Sequence, residues 1–234
     1  MKPWELLGET VAPDGTALTL TRHDRELVIM ANGQALMSSR MHGSEEALAT
    51  FGLRHLVAPA SPKPPDGQRR RVIIGGLGMG FTLRATLDIL PAAATVIVAE
   101  LVPAVVEWNR GPLGPLANHP LNDRRAQVIT GDVGDLLRTS SARFDAVLLD
   151  VDNGPSALTS STNEDLYSDR GIAAAKASLT SGGVLAVWSS REDRRFEQRL
   201  KYAGFEVTVE RVRGRLKQGG PKHVIFLGSL PHGV

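Results

Sequence analysis

The chain has 234 residues, 42% hydrophobic and 22% charged, which suits one α/β domain with a small appendage and burial of roughly 70% of the surface. No apolar run reaches the ~20 residues of a membrane span, and Glu5 and Glu9 stand where a secretory leader would be apolar, so no membrane segment or leader is expected. The absence of cysteine excludes disulfides, thiolate metal sites and cysteine nucleophiles and fits a cytoplasmic protein, while a formal net charge of +2 does not argue for nucleic acid.

In chain order, residues 1 to about 40 read as short strands. Ala17 to Thr21 and Glu26 to Met30 flank a polar turn, and Asn32-Gly33 is a strong two-residue hairpin signal before Gln34 to Met37. So small a unit cannot bury much alone and must pack on the main domain or on another subunit. Ser44 is read as the cap of a helix that carries Leu48, Phe51 and Leu53. Ala58 to Gln68, rich in proline and polar residues, reads as a linker, which divides the chain into units 1–58 and 69–234.

From Arg71 the pattern alternates strand and helix, which implies a parallel sheet with right-handed crossovers. Strands are expected at Val72–Ile74, Thr95–Ala99, Ala126–Thr130, Ala146–Asp150 and Val184–Ser189. A closing antiparallel pair is expected at Glu206–Arg211 and His223–Gly228. Helices are expected near Phe81–Leu90, Pro103–Arg110, Gly134–Arg138, Asp169–Leu179 and Arg194–Ala203.

Ligands of such sheets bind at the carboxyl ends of the strands. The first strand runs into Gly75, Gly76, Gly78 and Gly80 and then a helix start. There the backbone can approach a ligand closely, and free N–H groups face it. The second strand ends in Glu100, placed to accept bonds from ribose hydroxyls. The third ends in Gly131-Asp132, where a carboxylate could receive an adenine-type amino group or cap the next helix. The fourth ends in an acidic loop, Asp150-Val151-Asp152-Asn153-Gly154-Pro155. The turn reads Gly-x-Gly-x-Gly-Phe, which disfavours a nicotinamide site, and no Gly-Lys-Ser/Thr follows to make a phosphate loop.

Other candidates are weaker. His42 with Glu45 or Glu46 is a helix start rather than a metal pair, and His119 and His223 lack partners at ligand spacing, so no metal is expected. Trp108 and Trp188 read as core or pocket wall, Trp188 being the better placed to touch a ligand. The proline-bearing stretch Gly111 to Arg125 could cover a nucleoside, and Val151 to Asn163 could form a lid. The basic hairpin Arg211 to Lys222 reads first as a solvated turn. Were it to face the pocket, it would favour an anionic acceptor.

Together these segments resemble the spermidine synthases. The resemblance rests on Ile73 to Gly80, Ala99 to Glu107, Gly131-Asp132, Phe144 to Asp150 and Leu166-Tyr167-Ser168, and upstream on Asn32-Gly33-Gln34 and Met41 to Glu46. It implies a Rossmann-like, seven-stranded AdoMet-methyltransferase fold, mostly parallel with an antiparallel last strand, plus an N-terminal β-hairpin domain. By position it implies that Gly75, Gly76, Gly78 and Gly80 contact the nucleoside, that Glu100 holds ribose and that Asp132 holds adenine. Asp150 would lie beside the reacting amine, with Asp152 and Tyr167 near the same pocket. A homodimer is implied as well, because the N-terminal hairpins resemble elements through which that family dimerises.

Two departures stand out. Gly78 takes the place of an aspartate that in the family holds the cationic aminopropyl end. The acidic loop lacks the spaced second acid unless Asp152 substitutes. The resulting expectation is a transferase that binds S-adenosylmethionine or its decarboxylated form and alkylates a small molecule, with an amine as the candidate acceptor. Methyl transfer is narrowly preferred to aminopropyl transfer, and a catalytically inactive nucleoside-binding protein is the non-enzymatic alternative.

Overall fold

The computed structural model describes residues 3–57, 69–151, 154–155, 165–215 and 219–231. Four antiparallel strands, β1 (Glu5–Val11), β2 (Ala17–His23), β3 (Glu26–Ala31) and β4 (Gln34–Ser38), form the first sheet in sequential order. The sequence indicates only the last three of them. The first, β1, is mostly exposed and broken by Gly8, so it carries little alternation to read. Gly8 is needed: a Cβ there would sit 2.5 Å from Trp108 Nε1, so β1 lies directly on that indole.

Helix α1 (Gly43–Val57) follows. Ser44 lies inside it rather than capping it, and its hydroxyl instead donates to the Glu45 carboxylate. Gly52 lets α1 settle on the main sheet, since a Cβ there would meet Leu148 Cδ2 at 2.5 Å and Ala186 Cβ at 3.0 Å.

The main sheet holds β5 (Arg71–Gly75), β6 (Thr95–Glu100), β7 (Ala126–Thr130), β8 (Phe144–Leu149), β9 (Leu179–Ser189), β10 (Glu206–Arg213) and β11 (Lys222–Ser229). Their spatial order is β10-β11-β9-β8-β5-β6-β7. The five strands from β5 to β9 pair in parallel, and β11 runs antiparallel to both its neighbours. The strand order reverses between β5 and β8, so the crevice at their carboxyl ends is where a ligand fits.

Between the strands lie α2 (Phe81–Ile89), α3 (Pro103–Arg110), α4 (Val133–Arg138), α5 (Asp169–Ser178) and α6 (Arg194–Tyr202). Strand residues alternate between the two sheet faces. Val72, Ile74, Val96, Val98 and Leu148 join the first sheet and α1 to α3 in one apolar cluster. Ile73, Ile97, Val147 and Leu149 join the residues of α4 to α6 in the other. At the amino ends of the strands Asp145 ties β5 to β8, accepting from the Arg71 backbone N–H at 2.7 Å and from Arg70 at 3.0 Å.

Candidate active site

The glycine turn is shaped by what presses on it. Gly76, at φ +87°, lies so close to the end of β8 that a Cβ would stand 2.4 Å from the Asp150 carbonyl oxygen. Its N–H donates to the Ala99 carbonyl at 2.9 Å, and Asp150 N–H donates to the Gly75 carbonyl at 2.9 Å. Three strand ends are thereby locked together. Gly80 faces Asn109, Pro120 and Ala117, so the stretch expected to cover a nucleoside stands beside the turn. Asn109 donates to the carbonyls of Gly78 at 2.8 Å and Val105 at 2.9 Å, tying α3 to the turn.

Glu100 is buried at the end of β6. Its carboxylate accepts from the backbone N–H groups of Leu77 at 2.9 Å and Val102 at 2.8 Å. Burial raises its pKa, against the pull of those N–H groups. The N–H groups of Gly78 and Leu101 also favour its ionised form, so Glu100 braces the turn from the end of β6. Asp132 caps α4, with Oδ1 accepting from Asp135 N–H at 3.1 Å. Its Oδ2 makes no hydrogen bond among the described residues, so capping does not use up the side chain. Gly131 beside it faces open space.

Two carboxylates meet on the other side of the turn. Asp150 Oδ2 accepts from the Thr82 hydroxyl at 2.5 Å. Glu45, from the first turn of α1, accepts from Ser44 at 2.7 Å, and its backbone carbonyl stands 3.5 Å from the same Thr82 hydroxyl. Burial, and then the negative Asp150 beside it, push the Glu45 carboxyl up to about 7. Burial pushes Asp150 up to about 6, although the Thr82 hydroxyl favours its ionised form. No basic side chain pairs with either acid among the described residues. Sequence reasoning treated Glu45 as part of a helix start. Only its position in the first turn of a helix aimed at the sheet could have signalled more.

The start of α1 is firmly held. His42 Nδ1 and Glu46 Oε1 are 2.7 Å apart, the His42 ring stacks on Phe81 with centroids 4.1 Å apart, and Gly43 N–H donates to the Gly214 carbonyl at 2.9 Å. The last bond sets the base of the basic hairpin against the amino end of α1. Arg211 of that hairpin pairs with Glu192 at 2.6 Å on the surface.

Tyr167 is buried against Phe196, and its hydroxyl donates to the Val151 carbonyl at 3.2 Å. It therefore bears on the loop that follows Asp150. Asp152 and most of the stretch expected to form a lid lie outside the described residues. Trp188 is half-buried and tilted against His223, with ring centroids 4.8 Å apart; burial lowers the pKa of His223. Trp108 is core, beneath β1. No cluster of three or more His, Asp or Glu side chains suited to a metal occurs among the described residues. A cavity of about 50 Å³ lined by His55, Arg70 and Asp145 lies at the opposite ends of the strands, away from these groups.

Residues 45–200 match the spermine/spermidine synthase domain family, and the chain belongs to it. That family is a class of AdoMet-type transferases, so the protein is an enzyme of that class. Among solved structures the fold is similar to a spermidine synthase in complex with the transition state analogue AdoDATO, at 17% identity and a TM-score of 0.71. The match covers 96% of this chain and 72% of that one. It is similar also to the spermidine synthase of Thermotoga maritima, at 17% identity and a TM-score of 0.72 with the same coverage. A probable spermidine synthase of Corynebacterium glutamicum matches at 16% identity and a TM-score of 0.66, over 95% of this chain and 79% of that one. No curated protein matches the chain.

Proposed function

We propose that the protein transfers an aminopropyl group from decarboxylated S-adenosylmethionine to a small amine. Family membership favours this transfer, the second of the two weighed from sequence, over methyl transfer. The observation that carries it is the pair of acids Asp150 and Glu45 beside the glycine turn, to which no basic side chain is paired among the described residues. Buried carboxylates are costly unless paired, so this arrangement is suited to an ammonium ligand. Such a pocket has little to offer a neutral or anionic acceptor.

The residues fit the donor. The close approach of backbone at Gly76, the space left at Gly131 and the unbonded Asp132 oxygen among the described residues, and the Glu100 carboxylate at the end of β6 suit an adenosine group. When bound, the sulfonium supplies an electrophilic carbon with a neutral thioether as leaving group. Asp150, ionised, takes the proton from the amine so that its nitrogen lone pair can form the new N–C bond as the C–S bond breaks. Thr82 orients that carboxylate, Tyr167 steadies the loop behind it, and Glu45 holds the substrate's positive charge. Positioning of the amine in line with the C–S bond is the larger part of the rate effect expected of such a site.

Turnover of the decarboxylated donor with short linear diamines tests this reading, measured for the wild type and for Asp150→Asn. The expected result is turnover lowered about 100-fold or more by the substitution, with binding of methylthioadenosine retained. Methyl transfer from S-adenosylmethionine at a higher rate than aminopropyl transfer would reject it. One observation favours that second reading: no carboxylate emerges from the glycine turn at Gly78. Homodimer formation through the N-terminal sheet and a cytoplasmic location belong to the same proposal. Equilibrium sedimentation tests the first.

A further inference from the structure

Each glycine of the turn faces a different neighbour. Gly76 faces the end of β8, and Gly80 faces the wall made by Asn109 and Pro120. Gly78, at φ +52°, faces Met37 of β4: a Cβ built there would lie 2.7 Å from Met37 Cε and 3.0 Å from Sδ. The N-terminal sheet thus reaches the carboxyl end of β5 and lays a thioether where any side chain of residue 78 would have to emerge. Met37 is half-buried and packs on the same apolar cluster as Leu77 and Met79. Thr82, four residues on in the first turn of α2, contacts Asp150 and approaches Glu45. A tail on the ligand's sulfur that leaves the turn past Gly78 meets first an apolar wall and then the acids.

We propose that Met37 is the residue that selects the group carried on the sulfonium. Its thioether walls the tail's methylenes at Gly78. A methionine suits the task, being unbranched, polarizable and able to follow a flexible chain. The proposal rests on the donor reading above, and it deepens it by assigning tail recognition to the N-terminal sheet instead of the glycine turn.

Calorimetric titration with two ligands tests it: decarboxylated S-adenosylmethionine, which has the tail, and methylthioadenosine, which has only a methyl on sulfur. Because both titrate the same preparation, any loss of folding affects them equally. Met37→Ala is expected to weaken the tailed ligand about 3- to 10-fold relative to methylthioadenosine, the scale of a lost apolar contact of one or two methylenes. Gly78→Asp alone is expected to bring a smaller gain for the tailed ligand than the same change in Met37→Ala, since its Cβ must first displace the end of Met37. Aspartate tolerates the left-handed backbone, so the double variant Met37→Ala with Gly78→Asp should tighten the tailed ligand about 10-fold relative to Met37→Ala, through the added charge-assisted contact. Equal weakening of both ligands by Met37→Ala, or a gain from Gly78→Asp alone as large as in the double variant, overturns the assignment to Met37. Failure of the wild type to bind methylthioadenosine at all would overturn the donor reading along with it.

Discussion

Asp150 and Glu45 set the behaviour of the site through their protons. Both carboxyls are raised, from 3.8 to about 6 and from 4.5 to about 7, so the folded protein holds these protons more tightly than the unfolded chain does. The stability this gives is present in full below about pH 4 and is lost as pH rises through about 6 to 7. Above that range the ligand-free protein carries two poorly solvated negative charges. Asp150→Asn and Glu45→Gln are therefore expected to raise the melting temperature at pH 8 by about 2–4 °C, the shift that about 1 kcal/mol produces in a chain of this size, and to leave it unchanged near pH 4. Calorimetry at the two pH values checks this, and a fall at pH 8 would mean that a cation already balances the pair. Activity runs the other way. The base must be ionised, so kcat/KM is expected to climb through about pH 6 to 7 in the wild type, and the step should sharpen at a single lower pH in Glu45→Gln, which removes the neighbouring charge.

At the scale of elements, the site depends on how closely the strand ends and α1 approach one another. Gly76→Ala puts a methyl against the Asp150 carbonyl at a backbone angle that alanine adopts poorly. It is expected to cost about 1–3 kcal/mol in stability and to weaken methylthioadenosine binding at least 10-fold, as read by denaturant titration and calorimetry. Helix α1 carries Glu45 and is seated on β8 and β9 through Gly52. Gly52→Val forces the helix off Leu148 and Ala186, with about 1–3 kcal/mol of overpacking strain expected. A kcat loss in the same variant, with methylthioadenosine affinity kept, would trace to the displaced Glu45. If both the stability and kcat were unaffected, α1 would not be the element that positions the acid.

At the scale of the whole molecule, the N-terminal sheet is continuous with the main domain. Leu18, Leu20, Leu27 and Ile29 share one apolar cluster with α1, α2 and the strands of the large sheet, and Gly8 rests on Trp108. Residues 1–58 and 69–234 are therefore expected to unfold in a single calorimetric transition, and two resolved peaks would show that they are independently stable. Much of this architecture was legible. Alternating β-branched runs and glycine punctuation located every strand of the large sheet to within a few residues, except that β9 begins at Leu179, five residues before the expected Val184, where Thr180 to Gly182 obscure the pattern. The glycine turn, Glu100, Asp132 and Asp150 lie at the strand ends expected of them, because strand polarity in a parallel sheet puts those ends together. The missed strand β1 lacks the alternation such reading relies on, and the role given to Ser44 failed because the helix begins one residue before it.

The features readable along the chain are local: which segments are strands, which turn can admit a ligand, and which acids end their strands. Those follow from side-chain periodicity and from backbone freedom at glycine, properties that neighbouring residues carry among themselves. Which distant residues share a volume depends on how the elements fold over one another. Glu45 stands beside Asp150 across 105 positions of chain, and Met37 covers Gly78 across 41, because β4 and α1 are folded over the carboxyl ends of β5 and β8. The pKa values of the two acids and the apolar wall at the turn arise from burial and proximity between separate elements. No pattern within either segment encodes them.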